Sequence, residues 1–219
     1  MPSWLQLMLD SFWRLFTAGV MFTLPLAVLS FIGGLALAFV VALIRLYGPQ
    51  PFKGIADFYV WVIRGTPLLV QLFVIFYGLP SAGITLDAFP AALIGFILNV
   101  GAYSSEIIRG AIISVPKVQW EAAYSIGMSS PQAMRRVILP QSVFVSLPPL
   151  ANSFISLIKD TSLAAVITVQ EMFLAAQRIV SVTYEPLILY IEAAFIYLMF
   201  CTVLGKLQTK LEIYFRRYE

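Results

Sequence analysis

Polar side chains stand within or beside long apolar runs of this chain, where an unpartnered hydrogen-bonding group is costly. The set comprises Asn99, Tyr103, Asn152, Asp160, Thr161 and Ser162. Asn99 and Tyr103 share one helix face with Glu106, which we expect to pair with Arg109. The set could bond neighbouring helices, at about 0.6–2 kcal/mol per bond, or contact a polar solute within the bilayer. The sequence leaves both uses open.

The residue types disfavour catalysis. The chain has no histidine, which excludes the HExxH metal motif and any serine–histidine or cysteine–histidine pair. Its single cysteine, Cys201, cannot form an intrachain disulfide. Glu192 is the only acid isolated in an apolar segment, and no partner for acid–base chemistry is apparent. We expect Glu192 to face the interior of an oligomer or to accept a hydrogen bond from a neighbouring helix.

The composition is typical of a protein embedded in lipid. Of the 219 residues, 60% are hydrophobic and 11% are charged, which leaves too little polar surface for a soluble domain. The net charge of +3 does not indicate nucleic-acid binding, because lysines and arginines stand between apolar runs rather than along one face. We therefore predict an all-α integral membrane protein.

Long apolar runs with few charges predict about five transmembrane helices. The predicted segments are residues 17–44, 58–80, 88–108, 141–158 and 187–205. Lysines and arginines are concentrated in the first and third connections and in the C-terminal tail, whereas residues 81–87 contain none. The positive-inside bias therefore predicts that the N-terminus lies outside and the C-terminus lies in the cytoplasm.

The chain is predicted to divide into three parts. Residues 1–16 are expected to form an N-terminal interfacial helix, with an extension of the first transmembrane helix as an equal alternative. Residues 17–206 are expected to form the transmembrane domain, which includes a loop at 113–140. Residues 207–219 are expected to form a cytoplasmic C-terminal tail.

The second segment is predicted to be broken where the sequence reads RGTP, at residues 64–67. Pro67 disfavours the helical conformation of Thr66, which can instead cap a new helix that begins at Pro67. Arg64 is expected to anchor the preceding helix at the inner interface. After Asp160, a short apolar run is expected to form a re-entrant or surface element packed against protein.

Residues 115–141 form a mostly polar connection of unusual length for a chain embedded in lipid, and such loops usually carry function. We expect a helix from about Lys117 that ends at Gly127 in the left-handed conformation. A second helix is expected with Ser130 as its cap and Pro131 at its first position. The small apolar surface of the first helix suits either another protein's groove or the membrane.

The same loop resembles the EAA signature of binding-protein-dependent ABC importer permeases. The residues that carry the signature are Glu121, Ala122, Ala123, Gly127 and Pro140. Val137 stands where that signature usually has isoleucine, which is a mild change. The resemblance implies the type I ABC importer permease fold, with this cytoplasmic loop forming a coupling helix that sits on an ATPase.

Three further segments resemble the polar amino-acid uptake group of these permeases. They read RGTPLLVQL at 64–72, AYSSEIIRGAI at 102–112 and SFISLIKDTSLAA at 153–165. Within that group, the run GMSSPQAMRRVILPQ followed by LPPLANSFISLIKDTSLAA is most similar to L-cystine permeases. The matches keep their order and spread over most of the chain.

The resemblance implies a permease subunit of the bacterial inner membrane that imports a polar amino acid by alternating access, with L-cystine as the best guess. The implied partners are two ATP-binding cassette ATPase subunits, a second permease copy in a homodimer, and an extracytoplasmic solute-binding protein. ATP and Mg are expected on the ATPase, since this chain has no GxxxxGK[ST] phosphate loop. We expect no cofactor in the chain itself. The alternative is a secondary amino-acid transporter or channel that works without an ATPase.

Overall fold

The computed structural model describes residues 3–215, with side chains for residues 5–213. Every regular element in that part is helical, which confirms the all-α prediction. The α-helices are α1 Ser3–Ala18, α2 Leu24–Tyr47, α3 Gln50–Gly65, α4 Leu68–Phe73, α5 Ala88–Ser114, α6 Lys117–Ser125, α7 Ser130–Ala133, α8 Leu139–Asp160, α9 Met172–Thr183 and α10 Pro186–Phe215. Between them lie π-helical turns at Gly19–Thr23, Val74–Gly78 and Met134–Ile138, and 3₁₀ turns at Leu79–Ala82 and Thr161–Ile167.

Four helical stretches of the described chain are long and apolar enough to cross a membrane. They run Leu5–Tyr47, Ala88–Ser114, Ser130–Ile167 and Pro186–Ile213. The bent pair formed by α3 and Leu68–Ala82 makes a fifth span if it is counted as one, in agreement with the predicted five. Helices α2 and α5 end later in the chain than predicted, because each continues past its charged residues, to Gly48 and to the residues before Pro116, respectively.

The predicted break after α3 is confirmed, and the two helices that meet there are bent by 107°. One detail was wrong: Thr66 ends α3, and the residue that precedes α4 is Pro67. The Thr66 hydroxyl donates back to the Val62 carbonyl at 2.8 Å, one turn earlier, and so does not cap α4. The Gln71 amide donates to Thr66 Oγ1 at 2.9 Å and to the Ile63 carbonyl at 2.8 Å, which ties the two helices together across the bend.

Helices α2 and α5 pack against each other at very short range. A side chain at Gly34 would place its Cβ only 2.5 Å from Val100 Cβ, and one at Gly101 would meet Leu37 Cδ2 and Tyr59 Oη at 2.7 Å. Glycine therefore permits the approach of the two backbones, as small residues do between membrane helices. Around this contact lies the main apolar core, in which Phe96 is fully buried.

Two buried acids bond α10 to its neighbouring helices. Glu171 is fully buried and precedes α9, where it accepts hydrogen bonds from the Leu174 amide at 2.6 Å and the Tyr197 hydroxyl at 2.9 Å. Glu192 on α10 accepts a hydrogen bond from the Ser11 hydroxyl on α1. This bond confirms the expectation that Glu192 accepts from a neighbouring helix.

The loop helices confirm the predicted turn and correct the predicted cap. Gly127 adopts the left-handed conformation with φ of 78°, and its amide donates to the Tyr124 carbonyl at 2.9 Å, which closes α6. The cap of α7 is Ser129, not Ser130. The Ser129 amide donates to Gln132 Oε1 at 2.9 Å, and this reciprocal pairing across three residues selects Ser129 over its neighbour.

Candidate functional site

A cavity of about 440 Å³ lies where α5, α8 and the α3–α4 break meet. Asn99 and Tyr103 reach it from α5, and Asn152 and Asp160 reach it from α8. Four of the six polar residues singled out in the sequence therefore line one space, which we call the polar cavity. Because three distant segments form its walls, only the folded chain brings these groups together.

The structure places the other two predicted residues elsewhere. Thr161 is fully buried, and its hydroxyl donates to the Ile158 carbonyl at 2.7 Å. Ser162 donates to the Lys159 carbonyl at 2.7 Å and lines, with Lys159, a separate cavity of about 560 Å³ beside α9 and α10. Asp160, Thr161 and Ser162 are consecutive residues of a helical segment, and consecutive helical side chains face different directions.

Several hydroxyl groups in the polar cavity were missed from the sequence. Ser153 and Ser156 line it from α8, and Ser104 lines it from α5. Ser104 is fully buried, and within the described chain its hydroxyl has no hydrogen-bond partner. Asn152, Ser156 and Asp160 follow one another at intervals of four residues, so they share one face of α8. This spacing could have identified Ser156 from the sequence. Nothing local distinguishes Ser104 from a packing residue.

The charge in the polar cavity is a single carboxylate. Of the described residues that line it, Asp160 alone is charged. Lys159 faces the other cavity, and no ion pair within 4 Å joins either residue to a described side chain. Asp160 can accept from an ammonium group, and asparagine amides and serine hydroxyls can donate to a carboxylate. The described residues contain no group of three or more histidine, cysteine, aspartate or glutamate side chains placed to hold a metal ion.

A network of charges lies next to the polar cavity, towards the end of the bundle that carries α6 and α7. We call this end the loop end. Glu106 Oε2 accepts from Arg109 Nη2 at 2.8 Å, which confirms the expected pair, and Glu106 Oε1 accepts from Arg45. Arg45 also donates from Nε to Asp57 at 2.6 Å. Arg64 Nη1 lies 3.9 Å from Glu106 Oε1, so α2, α3 and α5 are joined through one carboxylate.

The signature residues occupy the surface of the loop. Glu121 and Ala122 are exposed on α6, whereas Ala123 is buried and packs the helix against the protein. Pro140 lies in the first turn of α8, directly after the π-helical turn Met134–Ile138. The apolar side chain of Ile126 is 72% exposed at the end of α6. An exposed face of this kind on a polar loop is typical of a contact surface for another protein.

Residues 34–213 of this chain match the family described as binding-protein-dependent transport system inner membrane component. The chain belongs to this family, which the EAA signature predicted. It is therefore a multi-pass permease subunit of a bacterial ABC transporter in the inner membrane.

Known relatives narrow the class to amino-acid permeases. The L-cystine transport system permease protein TcyB of Bacillus subtilis (strain 168) is 53% identical over 97% of this chain and 92% of its own length. The glutamine transport system permease protein GlnP of Escherichia coli (strain K12) is 37% identical over 89% of this chain and 90% of its own length. The predicted similarity to the polar amino-acid group, and within it to cystine permeases, is confirmed.

Solved structures support the fold. A chain in the crystal structure of an amino acid ABC transporter with histidines aligns with a TM-score of 0.88 and 39% identity, covering 94% of this chain and 96% of that chain. An inward-facing MetNI methionine ABC transporter structure aligns with a TM-score of 0.69 at 13% identity, covering 97% of both chains. The second likeness concerns the fold alone, and together they confirm the ABC importer permease fold.

Proposed function

We propose that this chain carries a polar amino acid through the inner membrane by alternating access, and that L-cystine is its best candidate substrate. The observation that carries the proposal is the polar cavity, which gathers amides, hydroxyls and one carboxylate beside a broken membrane helix. A broken helix beside a polar site near mid-membrane is a recurring feature of transporters. The 53% identity to an L-cystine permease supports the choice of substrate.

The groups in the cavity match the two charges of every amino acid. Asp160 is the acceptor for the substrate ammonium, and the amides of Asn99 and Asn152 are donors for its carboxylate. The Ser104 hydroxyl, which has no partner in the described chain, is a further donor. L-cystine has an ammonium and a carboxylate at each end. One end of the molecule at a time can therefore bind the donors and the acceptor in the polar cavity.

The proposed partners are those of the ABC importer family, and the loop is the proposed contact with the ATPase. In our proposal α6 is the coupling helix and sits on one of two ATP-binding cassette ATPase subunits, which bind ATP and Mg. A second copy of this chain completes a homodimer, and an extracytoplasmic solute-binding protein delivers the substrate. The loop end then lies in the cytoplasm with the C-terminus, and the N-terminus lies outside, as the distribution of lysine and arginine favours.

Uptake by two single variants tests the site. Asn99→Ala and Asp160→Asn should each lower L-cystine uptake at least tenfold, because each loses a charge-assisted hydrogen bond of about 1.5–3 kcal/mol. Basal ATP hydrolysis and assembly with the ATPase should not change. The matched control is Ser162→Ala, since Ser162 faces the other cavity.

The measurement is uptake of labelled L-cystine into proteoliposomes that hold the complete transporter with its binding protein. Normal rate and normal apparent affinity in both variants would show that these residues are structural. If both variants lose uptake as expected but the parent transporter prefers another polar amino acid, the site is supported and L-cystine is rejected as the substrate.

A further inference from the structure

A second cavity adjoins the polar cavity, and the two share one side chain. The second cavity has a volume of about 410 Å³ and is lined by residues of α2, α3 and α5. Along α5, the polar cavity is lined from Asn99 to Ser104, whereas the second cavity is lined at Tyr103 and Glu106. Because α5 runs towards the loop end, the second cavity lies closer to that end. We call it the charged cavity.

Tyr103 is the residue common to both linings, so the two cavities meet at this residue. The other boundary is the break after α3, where Gly65 lines the charged cavity and Thr66 lines the polar cavity. The two spaces thus border each other at a phenol ring and at a helix break. No covalent link holds the ring in this position.

The side chain of Arg64 contacts the Tyr103 ring and stabilises its position. Its guanidinium carbon lies 5.3 Å from the centroid of the Tyr103 ring, within the range of a cation–π contact. The same side chain is steered by Glu106 at 3.9 Å. Glu106 already accepts from Arg45 and Arg109, so its hold on Arg64 is loose. Arg64 is therefore free to leave the ring without breaking a close ion pair.

The charged cavity also matches the substrate that the proposed function assigns. Arg64 and Asp57 both line it from α3 and remain 44% and 45% exposed, and Asp57 Oδ1 also accepts from Arg45 Nε at 2.6 Å. The Arg64 guanidinium can receive the carboxylate of an amino acid, and the Asp57 carboxylate, which can accept more than one hydrogen bond, can receive its ammonium. The polar cavity, in contrast, has a carboxylate and no cation.

We propose that Tyr103 and Arg64 form an inner gate, and that the charged cavity is a second, transient amino-acid site on the way to the loop end. The inference rests on the proposed function for the identity of its ligand. When Arg64 leaves the Tyr103 ring, the ring is free to move and the two cavities become continuous. Arg64 is then available to bind the carboxylate of the substrate that enters the charged cavity.

Thiol labelling tests the gate without requiring transport. In a Cys201→Ser background, Ser156→Cys places a thiol in the polar cavity, and a membrane-impermeant thiol reagent is applied from the loop end to the complete, nucleotide-free transporter in inside-out vesicles. Adding Arg64→Gln or Tyr103→Leu should raise the labelling rate about two- to thirtyfold, the range that corresponds to losing one cation–π contact. Tyr103→Phe keeps the ring and should label at the parent rate.

The control thiol lies on the other side of the gate. Gly65→Cys lines the charged cavity, and a Cβ at Gly65 meets no atom within 4 Å. It should label equally fast with and without each gate substitution. Equal labelling of Ser156→Cys in the parent, in Arg64→Gln and in Tyr103→Leu would overturn the gate, as would equally fast labelling in Tyr103→Phe and Tyr103→Leu.

The ligand of the charged cavity is tested separately. L-cystathionine, in which a thioether replaces the disulfide of L-cystine and which therefore cannot exchange with the thiol, should slow the labelling of Gly65→Cys at saturating concentration. Arg64→Gln should weaken this protection at least threefold in apparent affinity. Absence of protection in the parent would overturn the second site. If Asn99→Ala and Asp160→Asn transport normally while the gate substitutions still speed labelling, the proposed substrate site fails and the gate stands.

Discussion

Replacing Gly127 tests whether the shape of the loop couples this permease to its ATPase. A Cβ at this position meets no atom within 4 Å, so a substitution creates no clash. The φ of 78° is nevertheless unfavourable for a residue with a side chain, at about 1–2 kcal/mol. Gly127→Asp adds a negative charge against the negative end of α6, which costs about 0.3–1 kcal/mol more.

These two effects predict a graded series. Their sum, about 1.3–3 kcal/mol, lowers the population of the correctly closed loop by about tenfold to 150-fold. Gly127→Asn is the matched control for charge, because asparagine has the shape of aspartate and carries the same conformational cost without the charge. The two variants then differ only by the charge cost of about 0.3–1 kcal/mol, so we expect Gly127→Asp to couple about two- to fivefold more weakly than Gly127→Asn.

The assay is the stimulation of ATP hydrolysis by loaded binding protein in vesicles, with uptake measured in parallel. Both variants should insert into the membrane in normal amounts, since the position lies outside the membrane-spanning helices. Full stimulation together with normal uptake in Gly127→Asp would refute the coupling role of this turn.

Two further predictions concern topology and packing. In a Cys201→Ser background, thiols at Ser81 and Ser130 should label from opposite sides of the membrane, and labelling of both from outside would overturn the predicted orientation. Gly34→Ala should lower the thermal stability of the detergent-solubilised protein, because overpacking at 2.5 Å costs about 1–3 kcal/mol. Gly110→Ala, where a Cβ meets nothing within 4 Å, should be neutral or stabilising by up to about 1 kcal/mol; equal stability of the two variants would contradict the close packing.

Much of the fold could be predicted because its signals are local. Long apolar runs predicted the membrane spans, Pro67 predicted the break after α3, and Gly127 predicted the end of α6. The errors were also local and small. Ser129 and Ser130 are adjacent serines, and only the reciprocal bond with Gln132 decides between them.

The site was harder to predict because residues from segments that are distant in sequence form it. Asn99 and Tyr103 were accessible through helical spacing, since α5 is regular where they lie. Ser162 lines a different cavity from Asp160, because consecutive residues of a helix face different directions and closeness in sequence does not place them at one site. The bond from Arg45 to Asp57 joins two helices through the crossing of α2 and α3, which no short-range pattern reports.

The glycine-mediated contact between α2 and α5 has a mechanical consequence for the loop. Backbones in such close contact cannot slide past one another without collision, so the two helices behave as one rigid beam. Only Val115 and Pro116 separate α5 from α6, and Pro116 has a fixed φ. Val115 is also packed with Ile112 and Ile138. A force applied to α6 therefore moves α2 and α5 together as one rigid body. The bend after α3 is then the position at which the remaining helices can change their angle to that body.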